Sequence, residues 1–446
     1  MASDLLSIGK SGANAARIAL DVTAQNIANA SSEGYVRRSV SLKEVASAGG
    51  IGQSGDISLS GVRLSAIVRN ADLFRQSEVR RTGADAARAN AEVAGLENIE
   101  SAVEGADVYT AIVNFEGALQ ELAADPTNAS LRASVVEQAR TMANSFNIAS
   151  QGLDSVRDGL QFEANDGVTQ VNKLAEELAR VNLRLARAAD ASSDQTQLLD
   201  QRDSLLQQLS NYTDIKTTIA ADQTVQVTLG GTPGTSLVTG GTASPLAMTT
   251  AADGTISFTL DASPVTIAGG SLAGQSLALT KLVDTRSRID AVANSVITAV
   301  NDAQAAGVDL TGAAGQPMFS GTTAGDIEMV LANGTGLATA PAGEDADSRN
   351  SANLDALRAA LSTADPAGGM DAAIFDISST VQGRSVSRDA LATIASNALI
   401  ALQAQAGVDL DQEAVNLLRF QQAFQASGRV MQVATDIFDT IVALGR

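Results

Sequence analysis

The chain has 446 residues and no cysteine, no histidine and no tryptophan among them. Without Cys there are no disulfides and no thiolate metal sites. Without His, Ser-His-Asp and Cys-His catalytic sites are excluded, along with His-ligated zinc and iron. Asp, Glu, Lys, Ser and Tyr chemistry remains, so most common hydrolase and transferase solutions are gone. Aromatics make up only 3% of residues while hydrophobic residues reach 45%. The core must therefore be built from Ala, Leu, Val and Ile, which suits close helix–helix packing. Basic residues are scarce beside acidic ones, 30 against 50, for a net charge of -20. That balance repels phosphate backbones and anionic lipid and favours solubility at high local concentration. No stretch reads as long and apolar enough to span a membrane. Asp4, Lys10 and Arg17 interrupt any apolar core of a cleavable leader.

What is present is helical at both ends. Leu6, Ala13, Leu20 and Ile27 are spaced by seven, with Gly9, Ala16, Thr23 and Ala30 at the alternate three-and-four spacing. Leu5, Ile8, Ala15, Ala19 and Val22 broaden that face, and Ser31-Ser32-Glu33-Gly34 stops the helix. The C-terminal stripe is stronger: Leu417, Phe420, Phe424, Ser427, Met431, Ala434, Phe438 and Ile441 hold one register, with Asp409 or Asp411 as N-cap and Glu413 as first-turn charge. At roughly 1.5–3 kcal/mol per fully buried side chain, such a stripe demands a partner. An ordinary amphipathic helix packed on its own domain satisfies the same pattern.

Between the ends the periodicity predicts helices over 112–122, 139–160, 171–188 and 198–209, arranged as antiparallel rods. Asp125-Pro126 ends the first and Ser192-Ser193-Asp194 precedes the last. From Tyr212 to about Leu279 the chain turns to Thr, Gly, Val and Ser. Val225, Val227 and Leu229 alternate with polar residues, as do Ile256, Phe258 and Leu260 after the turn dipeptide Asp253-Gly254. A small β domain inserted in a helical frame is expected. Helix returns at Leu282 and runs through Ile289, Val292, Val296 and Ala299, and again at Leu354, Leu357 and Leu361; 307–350 is Gly- and Ala-rich and poorly periodic. Short strands are expected around Val36, Val40 and Leu42, and around Ile57, Leu59, Val62 and Leu64.

Motifs of chemistry mostly fail on context. Gly50-Ile51-Gly52-Gln53-Ser54-Gly55 matches G-x-G-x-x-G, but a strand rather than a helix is expected after it, so no helix N-terminus would face a pyrophosphate. Glu176-Glu177 reads as a solvated face paired i,i+4 with Arg180. Asp253-Gly254 lacks the spaced acidic ligands of a calcium loop. No catalytic residue, cofactor or metal site is expected.

Three groups of residues carry more than generic physics. The first runs from Leu5 to Gly9, through Thr23-Ala24-Gln25-Asn26-Ile27-Ala28-Asn29-Ala30-Ser31, to Gly34-Tyr35-Val36-Arg37. The second runs from Gly407-Val408-Asp409-Leu410-Asp411 through Asn416 to Ser427, with Asp436-Ile437-Phe438-Asp439-Thr440. The third comprises internal blocks: Leu198-Leu199-Asp200-Gln201-Arg202-Asp203, Leu209-Ser210, Val300-Asn301 and Gly307 to Gly312, ending at Phe319. Together they resemble the bacterial flagellar rod, hook and hook-associated axial proteins, and the internal blocks favour the hook-associated members over a hook or distal rod protein.

The resemblance implies a mainly α fold with an inserted β domain. Residues 1–33 with 407–446 would pair as a terminal helical coiled coil lining a channel. Residues 34–211 with 351–406 would form a long-helix plus short-strand domain, and 212–350 an outer Thr/Gly-rich β domain with a returning helix. The chain is shorter than the larger relatives, so an outer domain of some of them is expected to be missing. Leu6, Leu20, Asn26, Ile27, Asn29, Leu417, Phe420, Phe424, Met431, Phe438 and Ile441 are the expected subunit-interface residues. The implied role is a non-enzymatic junction between hook and filament, secreted to the extracellular flagellum by the flagellar type III export apparatus. Implied partners are copies of itself, hook protein, hook-associated protein 3 and an export chaperone, with no nucleic acid and no membrane insertion. A hydrolase carried in the variable region is the rival of a different class; it lacks His and a convincing acid pair.

Overall fold

A computed structural model describes residues 2–32, 34–47, 58–188, 193–231 and 234–444. The chain opens with helix α1 (Ala2–Ala28), a two-stranded antiparallel hairpin β1 (Arg38–Ser47) and β2 (Ser58–Arg69), and α2 (Leu73–Glu104). Helices α3 (Val108–Ala124), α4 (Ala129–Leu185) and α5 (Ser193–Tyr212) follow. A β segment comes next, made of β3 (Lys216–Ile219), β4 (Val225–Leu229), β5 (Thr235–Thr239), β6 (Thr242–Ala243), β7 (Leu246–Thr250), β8 (Ile256–Leu260) and β9 (Ser263–Val265). Helix α6 (Gly270–Ala306) leads into the minimal strands β10 (Gly307–Val308), β11 (Phe319–Ser320), β12 (Glu328–Met329) and β13 (Ala340–Pro341). Helices α7 (Ala352–Ala364), α8 (Pro366–Ala406) and α9 (Leu410–Leu444) close the chain.

The fold is mainly α with small antiparallel sheets, as the periodicity implied. β3–β6 form a four-stranded sheet and β7–β9 a three-stranded one. Val225, Val227 and Leu229 are buried in alternation, and so are Ile256, Phe258 and Leu260. Gly254 takes φ +90 in the turn between β7 and β8, a conformation glycine adopts without steric penalty.

Several elements differ from the sequence reading. The helices expected over 139–160 and 171–188 are one 57-residue helix, α4. The run Asn165-Asp166-Gly167 between them does not break it: a mid-helix glycine costs only about 1 kcal/mol. Here a Cβ at Gly167 would fall 2.9 Å from Leu272, so the bare backbone is what lets α6 approach. Helix α6 begins at Gly270, earlier than expected, inside the Thr/Gly-rich stretch. Helix α2 has no single apolar face, because it packs on α4, α5, α6 and α8 at once. The poorly periodic stretch after α6 is ordered by side-chain turns: Asp309 accepts from the Thr311 and Ala313 amides, and Asp326 from those of Thr322 and Thr323. The G-x-G-x-x-G residues and Ile57 lie outside the described residues, as do Glu33 and Ser192.

Two apolar clusters form the body. One joins α3, the first half of α4, the second half of α6, α7 and the start of α8, with Met318, Phe319, Ile327 and Leu331 from the stretch after α6. The other joins the second half of α4, α5, the β segment and the start of α6. Neither includes a residue of α1 or α9.

The terminal helices and the joint that holds them

α1 and α9 pack on each other, antiparallel: Gly9 faces Met431 and Gly12 faces Ser427, while Asn26 reaches Glu413. A Cβ at Gly9 would lie 2.7 Å from Met431 Cγ, and one at Gly12 2.8 Å from Ser427 Oγ. Gly9, Ala15, Ala16, Ala19, Val22, Thr23 and Asn26 are the buried residues of α1. The intrachain seam is thus made of small side chains. Leu20 is half-buried, whereas Leu6 is 46% exposed and Ile27 36%. On α9, Leu417, Phe420 and Met431 are half-buried, and Phe424, Phe438 and Ile441 are exposed. Ala434 is the one apolar residue of α9 that is fully buried among the described residues.

The base of this pair is fixed to the body by a polar joint. The Asn26 amide nitrogen donates to the Arg38 carbonyl at 2.8 Å and to Glu413 Oε2 at 3.2 Å. Its oxygen accepts from the Arg38 amide at 3.0 Å and from the Tyr35 hydroxyl at 2.9 Å. All four groups lie in this chain. Asn29 instead closes the end of α1, donating to the Gln25 carbonyl. Glu413, 1% exposed, also accepts from Arg37 Nε at 2.7 Å. Asp409 is the N-cap of α9, accepting from the amides of Asp411 and Gln412.

The joint continues into α5. Arg38 pairs with Asp200 at 2.7 Å, and Arg69 with both Asp200 and Asp203. Arg202 pairs with Asp203, and Gln76 donates to Asp203 at 3.0 Å. Burial would lift the Asp203 carboxyl, but the Arg202 and Arg69 guanidinium groups hold it below its usual range. Tyr35 is pushed up by burial, Arg38 opposing. Here the residues quoted from the N-terminal, internal and C-terminal signatures meet in one network. Charges so buried are tolerated only because each carboxylate is paired and hydrogen-bonded.

Sequence reasoning missed Arg38, Arg69, Asp200, Asp203 and the pairing roles of Arg202 and Glu413. A signal was present for some of them. Arg202 sits four residues after Leu198 and three before Leu205, and Glu413 four before Leu417, so both fall on apolar stripes. A charge on such a stripe needs a buried partner.

Large exposed apolar side chains gather on the last two helices: Phe375, Val386, Ile394 and Ile400 on α8, and Leu410, Val415, Leu418, Phe424, Val433 and Phe438 on α9. Contrary to the reading that no stretch is apolar enough to cross a membrane, a window within Ala352–Ala443 reaches a mean hydropathy of 1.3, and only 6% of it is buried. Among the described residues no cluster of acidic side chains is arranged to hold a metal ion.

A long-helix body carrying a terminal helix pair, with apolar faces open to solvent, suits a structural subunit that packs against other helices. The family model described as flagellar hook-associated protein FlgK helical domain matches residues 93–319, just over half of the chain. Models for flagella basal body rod protein and for the flagellar basal body rod FlgEFG protein C-terminal match residues 6–35 and 403–444. The chain belongs to the flagellar hook-associated protein FlgK family.

Among curated relatives, flagellar hook-associated protein 1 of Escherichia coli (strain K12) is 25% identical over 548 aligned positions, covering 99% of each chain. Those positions outnumber the 446 residues here, so the relative carries inserted residues. Flagellar hook-associated protein 1 of Bacillus subtilis (strain 168) is 28% identical over 218 residues, 47% of this chain and 43% of its own length. The Salmonella typhimurium protein of that name is 26% identical over 249 residues, 55% of this chain and 44% of its own. These last two matches span less than half of the relatives' length. The solved flagellar hook junction protein FlgK from Burkholderia pseudomallei aligns with a TM-score of 0.49 and 25% identity, over 55% of this chain and 46% of that one.

Proposed function

We propose that the chain is a structural subunit joining hook to filament in the bacterial flagellum, assembled from exported copies through its terminal helices. One observation carries this reading: the body packs most of its large apolar groups into two clusters, with exceptions such as Phe74, Ile148 and Phe162, whereas α9 and the free faces of α1 and α8 leave most of theirs in water. Helices with such faces are completed by other helices. In an assembly α1 and α9 would form the inner coiled coil, with Leu6, Leu20, Ile27, Asn29, Leu417, Phe420, Phe424, Met431, Phe438 and Ile441 at or beside the subunit contacts. Asn26 serves that interface from inside, by fixing the base of the pair. The expected division is 1–33 with 407–446 as the inner layer, 34–211 with 351–406 as the next, and 212–350 outermost.

Hook protein and hook-associated protein 3 are the expected axial neighbours. An export chaperone covering the apolar faces and the type III apparatus are the expected escorts. The rod models match the ends alone, while the hook-associated model matches the body, so a hook or distal rod role is the weaker reading. Deletion of the gene tests it: hooks without filaments, with flagellin shed into the medium, are expected. Normal filaments in the deletion strain would overturn the proposal.

A further inference from the structure

A groove of about 550 Å³ opens where α1, the β1–β2 hairpin and α9 meet. Gly9, Gly12 and Gly61 line it together with Ile8, Val62 and Val430, so it is chiefly apolar. The bare glycine backbones shape it: a Cβ at Gly61 would fall 3.2 Å from Ile8 Cα, just as the α1 glycines meet α9. Glu44 is its one charged lining residue among those described, exposed and without an ion pair there. Its strand neighbour Lys43, registered opposite Arg63, alternates to the other face of the hairpin. The groove thus suits a large apolar side chain accompanied by a cation.

The far side of the same helix pair presents such a group. Phe424, 43% exposed, stands among Lys10, Asn14 and Arg17 of α1. Lys10 and Arg17 are exposed and make no ion pair among the described residues. At about 100° per residue, positions 10, 14 and 17 lie nearly opposite positions 8, 9 and 12 around α1. The local charge here departs from the total of -20: residues 5–20 and 414–435 contain no Asp or Glu, and they hold Lys10, Arg17, Arg419 and Arg429. Phe438 fits the groove less well, since Asp436 and Asp439 flank it.

We infer that, within the subunit role proposed above and resting on it, Phe424 of one copy seats in this groove of a second, with the Lys10 and Arg17 charges facing Glu44. Knob and groove lie on opposite sides of the pair, so the contact is heterologous. It propagates into a ring or helix of copies instead of closing a symmetric pair. Repulsion between the acidic bodies is largely screened beyond about 8 Å at physiological salt.

The absence of cysteine gives a clean test. Asn14→Cys marks the Phe424 side and Ala426→Cys the groove, and both positions are exposed. In flagella purified from a deletion strain expressing both variants, a short thiol crosslinker should join one chain of each kind. Either variant expressed alone should give far less dimer. No mixed dimer, or an equal yield from a single variant, overturns the inference. Phe424→Ala in both chains should cut the mixed dimer about tenfold or more, the usual loss when an aromatic anchor is removed from its pocket. Glu44→Lys should weaken it as well, by setting like charges together. Adding Lys10→Glu with Arg17→Glu should then restore it, with the body's melting temperature unchanged throughout. A dimer indifferent to Phe424→Ala, or a charge reversal that restores nothing, likewise overturns it. A native chain that joins no flagellum would defeat the subunit role itself; assembled copies without the mixed dimer would defeat the groove contact alone.

Discussion

The body and the terminal pair solve the same packing problem with opposite materials. In the body, Phe115, Phe146, Leu122 and Met142 are sealed at 0–1% exposure across α3 and α4. In the pair, the fully buried apolar residues are Ala15, Ala16, Ala19, Val22 and Ala434. Large side chains make the body stable by itself. In the pair, small ones bring two backbones together and leave the large ones facing outward. Stability and assembly are thus written into different residues, and substitutions should separate them.

The sharpest separation compares two phenylalanines. Phe115→Ala should destabilise the body by about 3–5 kcal/mol in denaturant titrations. Phe438→Ala, at 58% exposure, should shift the soluble chain by less than about 0.5 kcal/mol. Phe424→Asp with Phe438→Asp should leave secretion intact and abolish filament attachment, counted by electron microscopy. Equal melting shifts for Phe115→Ala and Phe438→Ala would erase the distinction between the two regions.

The joint comes next. Glu413→Ala leaves Arg37 and Asn26 without their shared acceptor, and losing one partner of a buried pair costs about 3 kcal/mol or more. Because α9 belongs to neither core cluster, the body's melting temperature should hold. Limited proteolysis should instead remove roughly the first 35 and last 40 residues faster than in the native chain. An unchanged cleavage rate would show that the joint does not retain the pair. Gly9→Val tests the seam more gently: forcing a branched side chain against Met431 should cost about 1–3 kcal/mol of pairing. Crosslinking between α1 and α9 would report it.

The smallest effect is acid sensitivity. Asp203 has its carboxyl held low in the folded chain, so the stabilisation it contributes is present above the unfolded value near 3.8. It is lost as pH falls from there through the lower folded value. Native chain should lose stability over that window, and Asp203→Asn should show a flatter acid limb in pH-dependent melting.

How far the sequence foretold this differs by region. Where one face is buried and the other wet, periodicity was enough: Val225, Val227 and Leu229, or Leu354, Leu357 and Leu361, lie where the spacing put them. Helix α2 escaped because an element covered on several sides has no period to detect. On α1 the repeat named both halves of the face; the chain's own contact takes the small half, Gly9, Ala16 and Ala19, and leaves Leu6 open. The joint was legible only as separate words. Nothing in a one-dimensional string places Asp200 beside Arg38 and Arg69; the fold brings them together.

The unbroken course of α4 has a mechanical consequence. At 1.5 Å per residue its 57 residues extend about 85 Å, and its two halves belong to the two different core clusters. A load applied to the β segment therefore travels along a single rod into the bundle beside α3. Bending at the boundary would require rupturing backbone hydrogen bonds inside both packed regions, so the body should respond to torque as one lever rather than as two hinged blocks.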